Sequence, residues 1–156
     1  VRRTRTVTIT AAGRDSGKQF LLTEMSAAEA EEIAIRVLGP RFPDAVMTYG
    51  MAGVAILGIP AIYAMPYDEA RPLWDRIMAC VRPVGTLSAP APISADDAIE
   101  EVTTRIQLRM EVLELHLGFS LADARRVLSD MVPTAPATTE NMQTSQDPSE
   151  SASAAS

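Results

Sequence analysis

Residues 26–40 read S-A-A-E-A-E-E-I-A-I-R-V-L-G-P, and this stretch decides the fold class. Ser26 and Glu29 form an S-x-x-E capping box, in which hydroxyl and carboxylate satisfy amides that a helix start leaves unpaired. Ala30, Ile33, Ala34 and Val37 then recur on one face, and Glu32 with Arg36 makes an i,i+4 pair on another. Gly39 followed by Pro40 stops the helix. Its small, Ala-rich face suits close packing.

Toward the C-terminus the same logic predicts four more helices. Asp44 is expected to cap a second helical region that contains Gly50, Gly53 and Gly58 and is interrupted near Pro60. Pro66 sits near the start of a third, running to about Val81 with Leu73, Trp74, Ile77 and Met78 on its apolar side. Arg82 to Ala95 reads as a Pro-containing connector. The longest helix is expected from Asp96 to Leu117, spanning about 33 Å at 1.5 Å per residue. Its stripe is Ile99, Val102, Ile106, Met110, Leu113 and Leu117, and Leu108, Val112 and Leu115 add a second apolar face. Two such faces place the helix between other elements or against another chain. Gly118 ends it, and Ser120 with Asp123 starts a last helix carrying Leu121, Ala124, Val127, Leu128 and Met131.

Toward the N-terminus, residues 4–10 read T-R-T-V-T-I-T, alternating with the period of a strand. Gly13-Arg14-Asp15-Ser16-Gly17 supplies turn chemistry, and Phe20 and Leu22 continue the alternation. A β-hairpin follows, which must pack on helices or on another subunit because an isolated hairpin is marginal in water. The expected architecture is mainly α: an N-terminal hairpin followed by about five helices, in one domain over residues 1–131. Of the 25 residues 132–156, 17 are Pro, Ser, Thr or Ala and none is basic or aromatic, the composition of a disordered acidic tail.

Composition narrows the function. Twenty acidic residues against 14 basic ones give a net charge of −6, which disfavours a nucleic-acid partner. Thirteen of the 14 bases are Arg, and Lys18 is the single Lys. One cysteine, Cys80, allows no internal disulfide and suits a reducing compartment. One histidine, His116, leaves a Ser or Cys nucleophile without a base, so the chain reads as a non-enzyme with no metal or cofactor. The basic start runs into strand residues rather than a secretory leader.

Gly13 to Gln19 invites a phosphate-loop reading, but Ala12 stands where that loop needs Gly, Gln19 where it needs Ser or Thr, and a strand follows instead of a helix. Asp96, Asp97, Glu100 and Glu101 are better explained by the helix dipole than by a metal. His116 is expected to use its position at a helix C-terminus, Cys80 to be a small buried hydrophobe, and Arg125 and Arg126 to be solvated.

Ala45 to Met65 resists such readings, because these 21 residues carry no charge. That length reaches the range of a membrane span, against which stand three Gly, Pro60, and the phenols of Tyr49 and Tyr63. A sticky helical surface for an apolar partner fits better: Met repacks easily and Gly permits close backbone approach. The expected contact residues are Met47, Tyr49, Met51, Val54, Ile56, Leu57 and Ile59, joined by Leu108, Val112 and Leu115 from the long helix.

Two stretches together, G-R-D-S-G-K-Q-F-L-L-T-E-M-S-A-A-E-A at 13–30 after T-V-T-I-T, and I-E-E-V-T-T-R-I-Q-L-R-M-E-V-L-E-L-H-L-G-F-S at 99–120, resemble the tail assembly chaperones of long-tailed bacteriophages. The resemblance implies a protein of the host bacterial cytoplasm, absent from the finished virion. It would hold the tape measure protein while tail tube protein polymerises around it; in related systems a frameshifted longer form recruits tube subunits. Self-association into a homo-oligomer is a further expectation from the two-faced helix. The family has no catalytic residues to carry over. The competing readings are a small phage membrane protein anchored through residues 45–65 and a structural tail or joining protein.

Overall fold

The computed structural model describes residues 1–85, 92, 94–118 and 120–131. The expected tail, 132–156, and half of the expected connector, 86–91 and 93, lie outside the described residues. Strand β1 (Thr4–Thr8) pairs antiparallel with β2 (Gln19–Thr23), with Val7 opposite Phe20 and Arg5 opposite Leu22. Val7, Ile9, Phe20 and Leu22 are all buried, so the alternation read from the sequence is the one that packs. The hairpin gains a third strand, β3 (Val81–Pro83), antiparallel to β2 with Leu22 opposite Val81. This corrects the reading of Val81 as the end of a helix and of Arg82 and Pro83 as connector. A three-residue strand carries no periodicity, and a Pro is tolerated because β3 is a sheet edge.

Helix α1 (Ala27–Leu38) has the expected capping box, both halves formed, and ends at Gly39, which leads into a 3-10 turn over Gly39–Arg41. Hydrogen bonds with Ser26 hold the Glu29 carboxyl below its ordinary pKa. Glu32 pairs with Arg36 at 2.8 Å and also with Arg76 at 3.0 Å, tying α1 to α3 (Tyr67–Met78). In α3 the four expected apolar residues, Leu73, Trp74, Ile77 and Met78, are buried. They meet Phe20 and Leu22 in the main core.

Between α1 and α3 runs α2 (Phe42–Ala64), the longest helix at 23 residues. It begins before Asp44, which lies in its first turn rather than at its cap. The expected interruption at Pro60 is absent, since the helix continues to Ala64; the break falls at Gly50, with φ 60° and ψ −149°. That backbone region is essentially closed to residues with a Cβ.

The expected single helix from Asp96 to Leu117 is two: α4 (Ala95–Ala98) and α5 (Val102–Leu117), separated by extended backbone at Ile99 and Glu101. No Gly or Pro marks the break. Its cause is Asp15, in the hairpin turn, whose side chain is fully buried. The Asp15 carboxylate accepts the amides of Glu100 (3.0 Å to Oδ1) and Glu101 (3.0 Å to Oδ2), and a further hydrogen bond from the Thr104 hydroxyl. Lys18 completes the cluster, its Nζ donating to Asp15 Oδ1 (2.7 Å), the Ala98 carbonyl (2.8 Å) and Glu100 Oε1 (2.8 Å). The single lysine of the chain thus has a structural role: three acceptors around one compact ammonium, a geometry that the planar guanidinium of Arg does not match.

The break also turns α5. Thr104, Leu108, Val112 and Leu115 face the core, while Val102 is 74% and Ile106 43% exposed. Leu108, Val112 and Leu115, expected as contact residues for a partner, are therefore core residues. The C-terminus of α5 is Gly118 at φ 78°, and Ser120 caps α6 (Leu121–Met131) with Asp123, as expected.

Burial pushes the Asp15 pKa up, but the hydrogen bonds from Lys18, Glu100, Thr104 and Glu101 outweigh it and bring it from 3.8 to about 2. A carboxyl depressed on folding contributes stability above its unfolded pKa and loses it as pH falls toward its folded one. Between pH 4 and pH 2, urea denaturation is expected to show a loss of about 2 kcal/mol from this group. Asp15→Asn is expected to cost about 3 kcal/mol at pH 7 and to flatten that part of the pH profile.

Candidate binding groove between α1 and α2

The Gly50 break folds α2 back on itself. Gly53 lies so close to the first half of the helix that a Cβ built on it would sit 2.6 Å from the Ala45 carbonyl oxygen and 2.7 Å from Tyr49 Cβ. The G-M-A-G run, read from sequence as suited to a partner or a membrane neighbour, is thus used inside the chain: Gly50 makes the turn and Gly53 the close approach. Leu38, Ala45 and Val54 form a small second core at this crossing, flanked by Ala34, Phe42 and Val46.

Beside the crossing lies an open apolar groove of about 730 Å³. One wall is α1, through Ala30, Ala34 and Val37; the other is α2, through Met51, Val54 and Ile59; Ile33, Ile62 and Ile77 form the floor, and Leu113 and Leu117 of α5 close one end. The small α1 side chains, read as a packing face, are what leave room here. Of the expected contact residues, Met51, Val54 and Ile59 line the groove, Met51 being half exposed. Met47, Tyr49 and Leu57 are exposed but do not line it, nor does the partly buried Ile56. The α1 wall was missed as a site because a small apolar face looks the same whether it is covered or open.

Of the polar groups at the rim, Glu31 is exposed, while Arg3, Glu24 and His116 are engaged within the chain. Arg3 pairs with Glu24 and reaches the Leu115 carbonyl. His116 Nε2 accepts the Met25 amide at 2.7 Å, and Nδ1 donates to the Val112 carbonyl at 2.7 Å. The imidazole thus connects the end of α5 to the segment before α1. What the groove offers a ligand is apolar surface.

The other candidate chemistry is likewise absorbed by the fold. In the hairpin turn the amides of Arg14, Ser16, Gly17 and Lys18 each donate to protein oxygens, so the turn presents no anion cradle through them. Asp97 bonds the Ser94 cap, Asp96 pairs with Arg105, and Glu100 and Glu101 engage Lys18 and Arg14. Burial raises the Cys80 pKa, keeping the thiol protonated and unreactive. Comparison of the chain with family models, with curated proteins and with solved structures finds no match.

The crossing at Gly53 sets the groove's width, so Gly53→Ala, whose methyl meets backbone, is expected to cost about 2 kcal/mol. Gly50→Ala is expected to cost about 1–3 kcal/mol through backbone strain. Thermal melts followed by circular dichroism check both, and Gly58→Ala, where a Cβ would meet nothing within 4 Å, serves as the tolerated control.

Proposed function

We propose that this protein is a non-catalytic binding factor whose groove receives an apolar helical segment of another protein, and that it acts as a phage tail assembly chaperone for the tape measure protein in the host cytoplasm. The observation that carries the proposal is the open apolar groove between α1 and α2, bordered by a stretch that has no charge over residues 45–65. A groove with flexible Met51 on its lip and small residues along its wall suits an amphipathic helix laid along it. The two stretches that resemble tail assembly chaperones give the client its identity. Tail tube protein is the second partner in this reading, and masking apolar surface requires no nucleotide.

A membrane anchor is the second reading, and one observation favours it. The helical run Ala27–Ala64 is long and apolar enough by composition to cross a membrane, with mean hydropathy 1.8 in its most apolar window and only 28% of that window buried. The Gly50 break opposes it: residues 51–64 span about 21 Å as a helix, short of a hydrocarbon core of about 30 Å.

Co-expression with the tape measure protein encoded downstream is expected to keep that protein soluble and to yield a co-purifying complex. Met51→Asp places a carboxylate on the groove's lip and is expected to weaken the complex about a hundredfold while leaving the melting temperature nearly unchanged. Loss of neither solubility nor complex in Met51→Asp would contradict the groove as the binding site. Recovery only in a salt-resistant membrane pellet would favour the anchor.

A further inference from the structure

The two edges of the sheet are built differently. At one edge β3 is three residues long and ends in Pro83, which has no N–H to offer a further strand. At the other, β1 runs five residues in unbroken register with β2 and contains neither Pro nor a bulge. The Arg3 carbonyl accepts the Glu24 amide, the Ile9 amide donates to the Lys18 carbonyl, and the Ile9 carbonyl accepts the Gly17 amide. The odd-numbered residues of β1 therefore turn their backbone groups to β2. By the alternation of an antiparallel ladder, Thr4, Thr6 and Thr8 turn theirs to the open edge. Among the described residues, nothing bonds the backbone N–H or C=O groups of these three threonines.

The side chains leave that edge unguarded as well. A charge on the solvent face is a common defence of an edge strand, and here that face carries the exposed Thr4, Thr6 and Thr8. The one charge in β1, Arg5, pairs with Glu111 of α5 at 2.8 Å. A second β1 laid antiparallel about a two-fold axis at Thr6 sets Thr6 opposite Thr6, Thr4 opposite Thr8, and Arg5 opposite Val7. The outward residues then face one another, as hydrogen-bonded pairs must, and each pair exchanges two backbone bonds. Every such pair is Thr with Thr, a favourable cross-strand match, and no like charges stand directly opposite.

We propose that this protein forms a two-fold dimer through β1, joining two three-stranded sheets into one of six strands. The partner is a second copy because the strand is complementary to itself in the register that satisfies all three threonines. The assembly closes at two, since pairing consumes the β1 edge and Pro83 blunts the other. Self-association, expected from the two faces of α5, thereby moves to the sheet, one of those faces being spent on the core. Residues 4–8 line no part of the groove, so this inference stands apart from the groove reading. One strand pair is a small contact, and a dissociation constant on the order of 10 μM is expected.

Sedimentation equilibrium of the full chain tests the dimer, with circular dichroism confirming that each variant is folded. Thr6→Pro removes an outward N–H while keeping every bond to β2, and is expected to weaken association at least about tenfold. Thr6→Lys and Thr6→Glu place like charges opposite each other on the axis, so each alone is expected to dimerise about fivefold more weakly. An equimolar mixture of the two is expected to regain wild-type strength as a heterodimer, a rescue that a general loss of structure would not give. A wild type that stays monomeric at about 200 μM would overturn the proposal. Undiminished dimers in all three variants would place the contact elsewhere and overturn it too. A monomeric wild type that captures an extended Thr- and Val-rich peptide, lost in Thr6→Pro, would give the edge to another occupant and overturn the second copy.

Discussion

Twenty-one consecutive residues without a charged side chain must be sheltered from water, and a domain this small has one main core to offer them. The chain's answer is to break the run at Gly50 and cross its two halves at Gly53 and Ala45. The crossing shelters Ala45, Val54 and Ala55, while Met47 stays 85% exposed and Met51 half exposed. The surface left over is apolar by sequence and concave by geometry, because α1 meets it with alanines. Groove and exposed helix are two consequences of one constraint.

The opposite end of the molecule is built on the contrary principle. A buried carboxylate, Asp15, draws in the amides that start α5 and the only lysine, so the hairpin and the helix are locked by charge-assisted hydrogen bonds. Arg3 with Glu24, Arg5 with Glu111 and the His116 bridge extend that fastening along α5. A stiff ionic frame therefore carries the end of a soft apolar groove. That division suits a binding factor: the frame fixes where Leu113 and Leu117 stand, and Met51 adapts to what fills the groove.

Legibility in the sequence followed the range of the interactions. The capping box at Ser26, the stop at Gly39, the alternation of Val7 and Ile9, and the α6 cap at Ser120 are all local, and each was readable. The α4–α5 break was not, because its cause, Asp15, is 85 residues away from the Glu100 amide that it draws out of the helix. From that one long-range contact followed the reversal of α5, with Leu108 and Val112 inside and Val102 and Ile106 outside. Strand β3 was hidden for a similar reason: pairing with β2, not any pattern in V-R-P, makes it a strand. At the groove, Met51, Val54 and Ile59 were legible as members of an uncharged run. The α1 wall was visible as a face but not as an open one.

The most direct test follows the methionine methyl groups by nuclear magnetic resonance in the full chain, as a helical fragment of the tape measure protein is added. Met51 lies on the groove's lip, Met47 is exposed away from it, and Met78 is buried in the core. The account predicts that the Met51 signal shifts or broadens with saturation, while Met47 and Met78 stay in place. A response at Met47 with Met51 unmoved, or no response at any methyl group, would contradict it.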